Sequence, residues 1–220
     1  MRVLVVAAHP DDEILGVGGT IRRHTDHGDE VRVLIACEGV TMRYENEHGA
    51  RLAEQARRAS EILRIKEVRF GNLPDQHLDT VPLVDVIAKV EDFVKSFRPE
   101  TVYTHFGGDV NHDHNLLFRA VQVATRPYAA ESVREFLVFE TASSTEWGTP
   151  AIQGAFQPAV FVDITKTLEA KIEAFRCYEN EVRKAPHPRS PESLKARAET
   201  WGSVVGVDAA EPFHVIRSLR

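Results

Sequence analysis

The sequence predicts an α/β protein built on a doubly wound, mostly parallel sheet flanked by helices. Two observations carry this. The first apolar run, Val3 to Ala8, is unbroken and rich in β-branched residues, which is how a strand covered on both faces reads. After it, short strand-like runs alternate with amphipathic helical patterns, the mark of right-handed βαβ units.

The elements follow in order. Ile14, Leu15, Val17 and Ile21 recur at helical spacing and the segment closes on Gly28, so a helix spans Ile14 to His27. Glu30 to Cys37 is a second strand, and Glu38 to Gly49 is a polar loop. Leu52, Ala56, Ala59, Ile62 and Leu63 mark an amphipathic helix from Gly49 to Leu63. A third strand, Glu67 to Phe70, runs into the turn-rich Gly71 to Asp75. Val84, Ile87, Val90 and Val94 form the apolar side of a helix over Leu83 to Phe97, and Thr101 to Thr104 is a fourth strand. Beyond it the pattern gives a helix over His114 to Thr125, strands at Arg134 to Phe139 and Ala159 to Val162, and helices over Thr167 to Tyr178 and Pro191 to Val205. A further strand covers Phe213 to Ile216. No Gly/Ser or Pro-rich linker and no internal repeat interrupts the pattern, so residues 1–220 read as a single domain.

Composition narrows the function. The chain has 220 residues, 43% of them hydrophobic, which suits one domain with a sizeable core. Its 27 Lys and Arg against 33 Asp and Glu leave a net charge of −6 with no basic block. That argues against a nucleic-acid surface and for a small-molecule partner. The apolar runs are far shorter than the ~20 residues that cross a bilayer, so no membrane span is expected. The N-terminal run is also too short for a signal peptide and ends at an acidic cluster, which makes a cytoplasmic location the expectation. Cys37 and Cys177 lie far apart without C-x-x-C spacing and read as buried thiols. Whether copies of the chain form a homo-oligomer is left open.

Open α/β sheets bind ligands at the carboxyl ends of their strands, and two clusters stand there. The first strand is followed by Ala8-His9-Pro10-Asp11-Asp12-Glu13. Adjacent aspartates repel each other unless a cation lies near, and a helix-capping role for one of them leaves His9 and the other unexplained. The fourth strand is followed by His105-Phe-Gly-Gly-Asp109-Val-Asn111-His112-Asp113-His114. If the two strands are neighbours, the clusters face each other, and His9, Asp12 and His114 make a site of two histidines and one carboxylate. Three protein ligands with an open position suit a catalytic Zn²⁺ or a similar divalent ion such as Fe²⁺.

The AHPDDE stretch, the following Leu15-Gly-Val-Gly-Gly-Thr20 and the downstream Asn111-His-Asp-His114 resemble the PIG-L/LmbE-like family of metal-dependent N-acetylglucosaminyl deacetylases. The likeness extends to Gly28-Asp-Glu-Val, Arg51 and Glu54, Val162-Asp-Ile-Thr165 before Lys171, and Ala210-Glu-Pro-Phe213. It implies a Rossmann-like sheet, with His9, Asp12 and His114 as metal ligands and Asp11 as general base. It also implies a substrate that is an N-acetylated amino sugar or a conjugate of one. Many relatives carry His-Pro-Asp-His at the second motif, and this chain has Asn111 in the first place. Asn donates a hydrogen bond but cannot be a cation or shuttle a proton, so the electrophilic role is open among Asn111, His112, His105 and His187. Asp113 either orients one of these groups as an acceptor behind it or is simply an acid in the first turn of a helix.

Other residues are weighed beside these. Arg51 matches an arginine that faces substrate in relatives, and solvation is the plain alternative. His187 sits in the stiff Ala185-Pro-His-Pro-Arg-Ser190 loop, where the choice is between the site's rim and a surface turn. Asp75, His77 and Asp79 are expected at the pocket wall, and Trp147 offers a face on which a sugar ring stacks. The loops Glu38 to Gly49 and Glu140 to Gln157 would shape the pocket. The competing reading is a non-catalytic nucleotide- or sugar-binding protein. Gly16-Val-Gly-Gly19 imitates a phosphate loop poorly, since G-x-G-x-x-G is not met and the glycines follow carboxylates that repel a pyrophosphate.

Overall fold

The computed structural model describes residues 1–37, 47–128 and 133–220. β1 (Arg2–Ala7) leads through a tight corner into α1 (Asp12–Asp26), followed by β2 (Glu30–Cys37), α2 (Glu47–Leu63), β3 (Glu67–Leu73), α3 (Leu83–Phe97), β4 (Thr101–His105) and α4 (His112–Ala124). Then come β5 (Glu135–Phe139), the short α5 (Pro150–Gln153), β6 (Val160–Asp163), α6 (Leu168–Arg176), α7 (Pro191–Val205) and β7 (Ala210–Ser218). One seven-stranded sheet runs in the order β3-β2-β1-β4-β5-β7-β6. The first five of these strands are parallel, and β7 pairs antiparallel with both β5 and β6. A single α/β domain with a doubly wound, mostly parallel sheet is thus the fold, as expected.

β1 explains why the sheet is covered on both sides. Val3 and Val5 pack into one core with side chains of α1, α2, α6 and α7, while Leu4 and Val6 pack into a second with those of α3 and α4. The period of two along a strand sends alternate residues to opposite faces, so an unbroken apolar strand needs two helical layers. The helix stripe of α2 matches its expectation, with Leu52, Ala56, Ala59 and Leu63 buried. In α3 the stripe differs. Val84 is exposed, and the buried face is Val86, Val90, Phe93, Val94 and Phe97. The two phenylalanines bring the larger apolar area, and their spacing rather than Val84 orients the helix.

Several boundaries also move, and α1 begins at Asp12 rather than Ile14. α4 begins at His112 rather than His114, because Asn111 caps it by accepting from the Asp113 amide at 2.9 Å. β3 continues through Gly71 to Leu73, and β7 is longer than Phe213 to Ile216. Of the expected loop Glu38 to Gly49, residues 38–46 lie outside the described residues, and α2 already includes Glu47.

The glycine run in α1 serves packing. A Cβ at Gly16 would lie 2.1 Å from Phe139 Cδ2, and one at Gly19 would lie 2.8 Å from Ile164 Cγ2. Here, too, Lys171 Nζ donates to Leu15 O at 2.8 Å and to Glu211 Oε1 at 2.6 Å, while Glu211 accepts from the Gly19 and Thr20 amides. The phosphate-loop alternative loses its residues to this buried clamp between α1, α6 and β7. Gly16→Ala is expected to destabilise the fold by about 1–3 kcal/mol, since Phe139 is fully buried and overpacking has no outlet. Urea denaturation checks this, and an unchanged midpoint would contradict it.

Candidate metal centre and active site

β1 and β4 are neighbours, with Val3 opposite Thr101 and Val6 opposite Thr104. The two motifs therefore leave adjacent strand ends and face each other across the point where the strand order reverses, the ligand crevice of such sheets. His9, Asp12 and His114 each offer a ligand atom, all within 4.8 Å of one another. His9 Nδ1 lies 3.1 Å and His114 Nε2 3.3 Å from Asp12 Oδ2, and the two ring nitrogens are 3.4 Å apart. Ligand atoms about 2.0–2.1 Å from a tetrahedral ion stand roughly 3.4 Å from each other. The donor set fits a divalent cation on that measure.

Two further observations support the fit. Asp12 Oδ1 is buried and has no hydrogen-bond partner among the described residues, an expensive condition unless something else meets it. His9 is also surrounded by acid, with Nε2 at 3.0 Å from Asp113 Oδ2 and 3.3 Å from Asp75 Oδ1. Burial opposes a charge on its ring, but the hydrogen bonds to Asp113 and Asp12 outweigh burial and push its pKa up to about 10. This corner asks for positive charge, which a proton or a metal ion can supply. For Asp12, burial is outweighed by the imidazoles of His114, His105 and His9 packed around it, which hold its carboxyl well below the usual range.

Each ring is braced from behind. Asp113 holds His9, not one of the expected donors Asn111, His112, His105 or His187, while its own oxygens accept from the Gln76 and Leu78 amides at 2.8 and 3.1 Å. His114 Nδ1 lies 3.1 Å from Asp109 Oδ2, off the line of a good hydrogen bond. Asp109 is itself fixed by Ser144, Thr145 and the Asn111 amide. Carboxylates behind histidine ligands raise their basicity and fix their tautomer. Sequence alone assigns Asp109 no separate role; its place before Asn111 in the second motif is the available signal.

His105 is a different kind of residue. It is fully buried, its Nε2 accepts from the Ala8 amide at 2.9 Å, its Nδ1 lies 3.0 Å from Thr141 Oγ1, and its ring stacks on His114. Burial pushes its pKa down to about 3. With both nitrogens engaged, His105 is a neutral support and does not reach the cavity.

Asp11 stands apart from the three candidate ligands. It occupies the N-cap position of α1 with φ 113°, a costly backbone for a non-glycine residue, and its side chain makes no cap hydrogen bond. The capping alternative therefore fails for Asp11. Glu13 holds this turn by accepting from the Asp11 amide at 3.0 Å and from Tyr178 Oη at 2.5 Å, and burial pushes its pKa up to about 7. Burial also raises the Asp11 carboxyl well above the usual range, with Arg189 pulling the other way.

A cavity of about 430 Å³ opens over this corner. His9, Asp11, Asp75, Asn111, His112, His187 and Trp147 line it together with Ser143, Glu181, Arg183 and Arg189. The structure thus brings His112 and His187 to the site, with Trp147 half-exposed and its ring edge-on to His187 at 6.3 Å. It does not bring Arg51, which pairs with Glu179 at 2.6 Å on the surface, nor His77 and Asp79, which are absent from the lining. Cys37, expected only as a buried thiol, lies beside the centre and groups with His9 and Asp113. Arg189 is not singled out by the sequence at all.

A family model described as GlcNAc-PI de-N-acetylase (PIG-L) matches residues 4–125, more than half of the chain. The chain belongs to the PIG-L family. This PIG-L chain is similar to the diacetylchitobiose deacetylase of Thermococcus kodakarensis, 28% identical over 192 residues, covering 82% of this chain and 70% of the relative. It is also similar to 1D-myo-inositol 2-acetamido-2-deoxy-alpha-D-glucopyranoside deacetylase 1 of Saccharopolyspora erythraea, 25% identical over 263 residues and covering 94% and 82%. Its fold superposes on the conserved protein TT1542 from Thermus thermophilus with a TM-score of 0.79 at 24% identity, over 99% of this chain and 96% of that one. The family resemblance read from AHPDDE and its partners therefore holds, and with it the class of enzyme, a deacetylase that hydrolyses an amide.

Proposed function

We propose that this chain is a metal-dependent N-deacetylase, removing an acetyl group from the nitrogen of an amino sugar or N-acetylglucosaminyl conjugate. The observation that carries this is the convergence of His9 Nδ1, Asp12 and His114 Nε2 on one point beside a carboxylate outside that set, Asp11. His9, Asp12 and His114 would hold the ion, with Zn²⁺ the first choice for a nitrogen-and-oxygen set and Fe²⁺ the second. A divalent ion bound there acidifies a water enough for it to attack an amide at neutral pH. Asp11 takes the proton of the attacking water and hands one to the departing nitrogen, the work of a general base and acid. Asp113 and Asp109 keep His9 and His114 oriented. Asn111 commits its carboxamide oxygen to the α4 cap, which leaves its amide nitrogen as the donor it can offer to the acetyl oxygen. His112 and His187 are at hand in the same cavity; Nδ1 of His187 accepts from the Arg189 amide, leaving Nε2 for the substrate. Trp147 supplies the face on which a pyranose ring packs.

The domain spans residues 1–220 as one unit in this reading. No helix of the described residues is long and apolar enough to cross a membrane, and two free buried cysteines suit the reducing cytoplasm. The test is release of primary amine and acetate in equal amounts from N-acetylglucosamine and N,N'-diacetylchitobiose, with protein stripped by chelator and reloaded with Zn²⁺ or Fe²⁺. Turnover only after reloading is expected. Fully loaded protein that releases neither product from any N-acetylated sugar would overturn the proposal.

A further inference from the structure

Arg189 comes from the segment between α6 and α7, yet its side chain ends at the catalytic corner. Nη1 donates to Asp11 Oδ2 at 3.0 Å and to Glu181 Oε2 at 2.7 Å, and Nε donates to Ser143 Oγ at 2.7 Å. The guanidinium is largely buried, with 18% of the side chain exposed, and the Asp11 side chain is 3% exposed. Its backbone is fixed as well. The Arg189 amide donates to His187 Nδ1, its carbonyl accepts from the Arg183 amide, and the next residue, Ser190, caps α7 by accepting from the Ser193 amide. The arginine therefore arrives from a rigid base, the condition under which a side chain can hold another in place.

Asp11 Oδ2 is thus committed, while Oδ1 has no partner among the described residues and belongs to a residue that lines the cavity. A hydrogen bond to one oxygen of a side chain that is only 3% exposed restrains the turn of the carboxylate, and with it the place of the other oxygen. We propose that Arg189 is a positioning residue for deacetylation, fixing Asp11 through Oδ2 so that Oδ1 meets the water and the amide, and tying that carboxylate to the cavity wall through Ser143. A planar fork is suited to this in a way an ammonium is not. The inference rests on the deacetylase reading. If the parent protein is inert on N-acetylated sugars, that reading fails first; if it turns over and the variants below behave like it, only the role of Arg189 fails.

The experiment compares the parent with Arg189→Ala, Arg189→Lys and Ser143→Ala, all loaded with Zn²⁺ and assayed for amine release from N,N'-diacetylchitobiose. Arg189→Ala is expected to keep its metal and lose roughly 100-fold in kcat with KM little changed, the usual consequence of a misplaced reacting group. Guanidinium added to the buffer should restore part of that loss, which a merely structural role would not allow. Arg189→Lys should fall between, and Ser143→Ala should show a smaller loss confined to kcat. Parent-like kcat in Arg189→Ala, or a loss that tracks metal content, overturns the proposal. Should Arg189→Ala fail to fold, Arg189→Lys and Ser143→Ala decide: reduced kcat at unchanged thermal stability supports the role, and parent-like kcat removes it.

Discussion

His114→Ala is expected to abolish stable metal binding and, with it, turnover. His114 Nε2 faces both Asp12 and His9 Nδ1, so its loss leaves one histidine and one carboxylate for the ion. Losing a group that merely supports a ligand weakens metal binding by about 10–100-fold, and losing the ligand itself should exceed that. Elemental analysis of the folded protein after dialysis reads the effect directly and needs no substrate. Thermal unfolding gives a second reading. An ion that binds only the folded state stabilises it by mass action, so a chelator should lower the midpoint of the parent and leave that of His114→Ala where it was. Equal metal content in parent and variant would mean that the ion, if any, sits elsewhere.

Asp11→Asn should separate chemistry from binding. Its carboxylate lies outside the ligand set, so the variant is expected to retain its metal while kcat falls by about 10²–10⁴, the range for loss of general acid–base assistance. Asparagine preserves the size of the side chain and still accepts from Arg189, which keeps the corner intact. Steady-state amine release beside elemental analysis checks both halves. Full activity in this variant would exclude Asp11 as the group that moves the proton, and loss of metal would instead place it among the ligands.

Much of this site is legible in the sequence because its parts are local. AHPDDE and Asn111-His-Asp-His114 are contiguous stretches, each leaving a strand and entering a helix, and the sheet order needs only to make those strands adjacent. The pairing of His9 with Asp113 and of His114 with Asp109 is not readable, since it depends on which way each ring turns. Arg189 is harder still, meeting Asp11 across 178 residues of sequence. The signal nearest to it is the stiff Pro-His-Pro segment, where the histidine draws notice and the arginine beside it does not. In α3 the valine period places Val90 and Val94 on the buried face and fails at Val84, where Phe93 and Phe97 turn the helix instead, because area as well as periodicity decides what is buried. The antiparallel direction of β7 leaves no trace in its residues; strand direction is a property of the connection, not of the strand.

The placement of β7 has a consequence for how the molecule is made. Among the described residues β6 meets the sheet only through β7, and β7 carries the Glu211 that neutralises Lys171 inside the protein. During synthesis from the N-terminus, the five parallel strands and both halves of the metal corner emerge first, while β6 has no neighbour and Lys171 no counter-charge until residues 210–218 follow. The residues of the candidate ligand set are therefore made before those that finish the sheet. Its late antiparallel edge is the part exposed to mispairing in the interval, and the step on which completion of the fold waits.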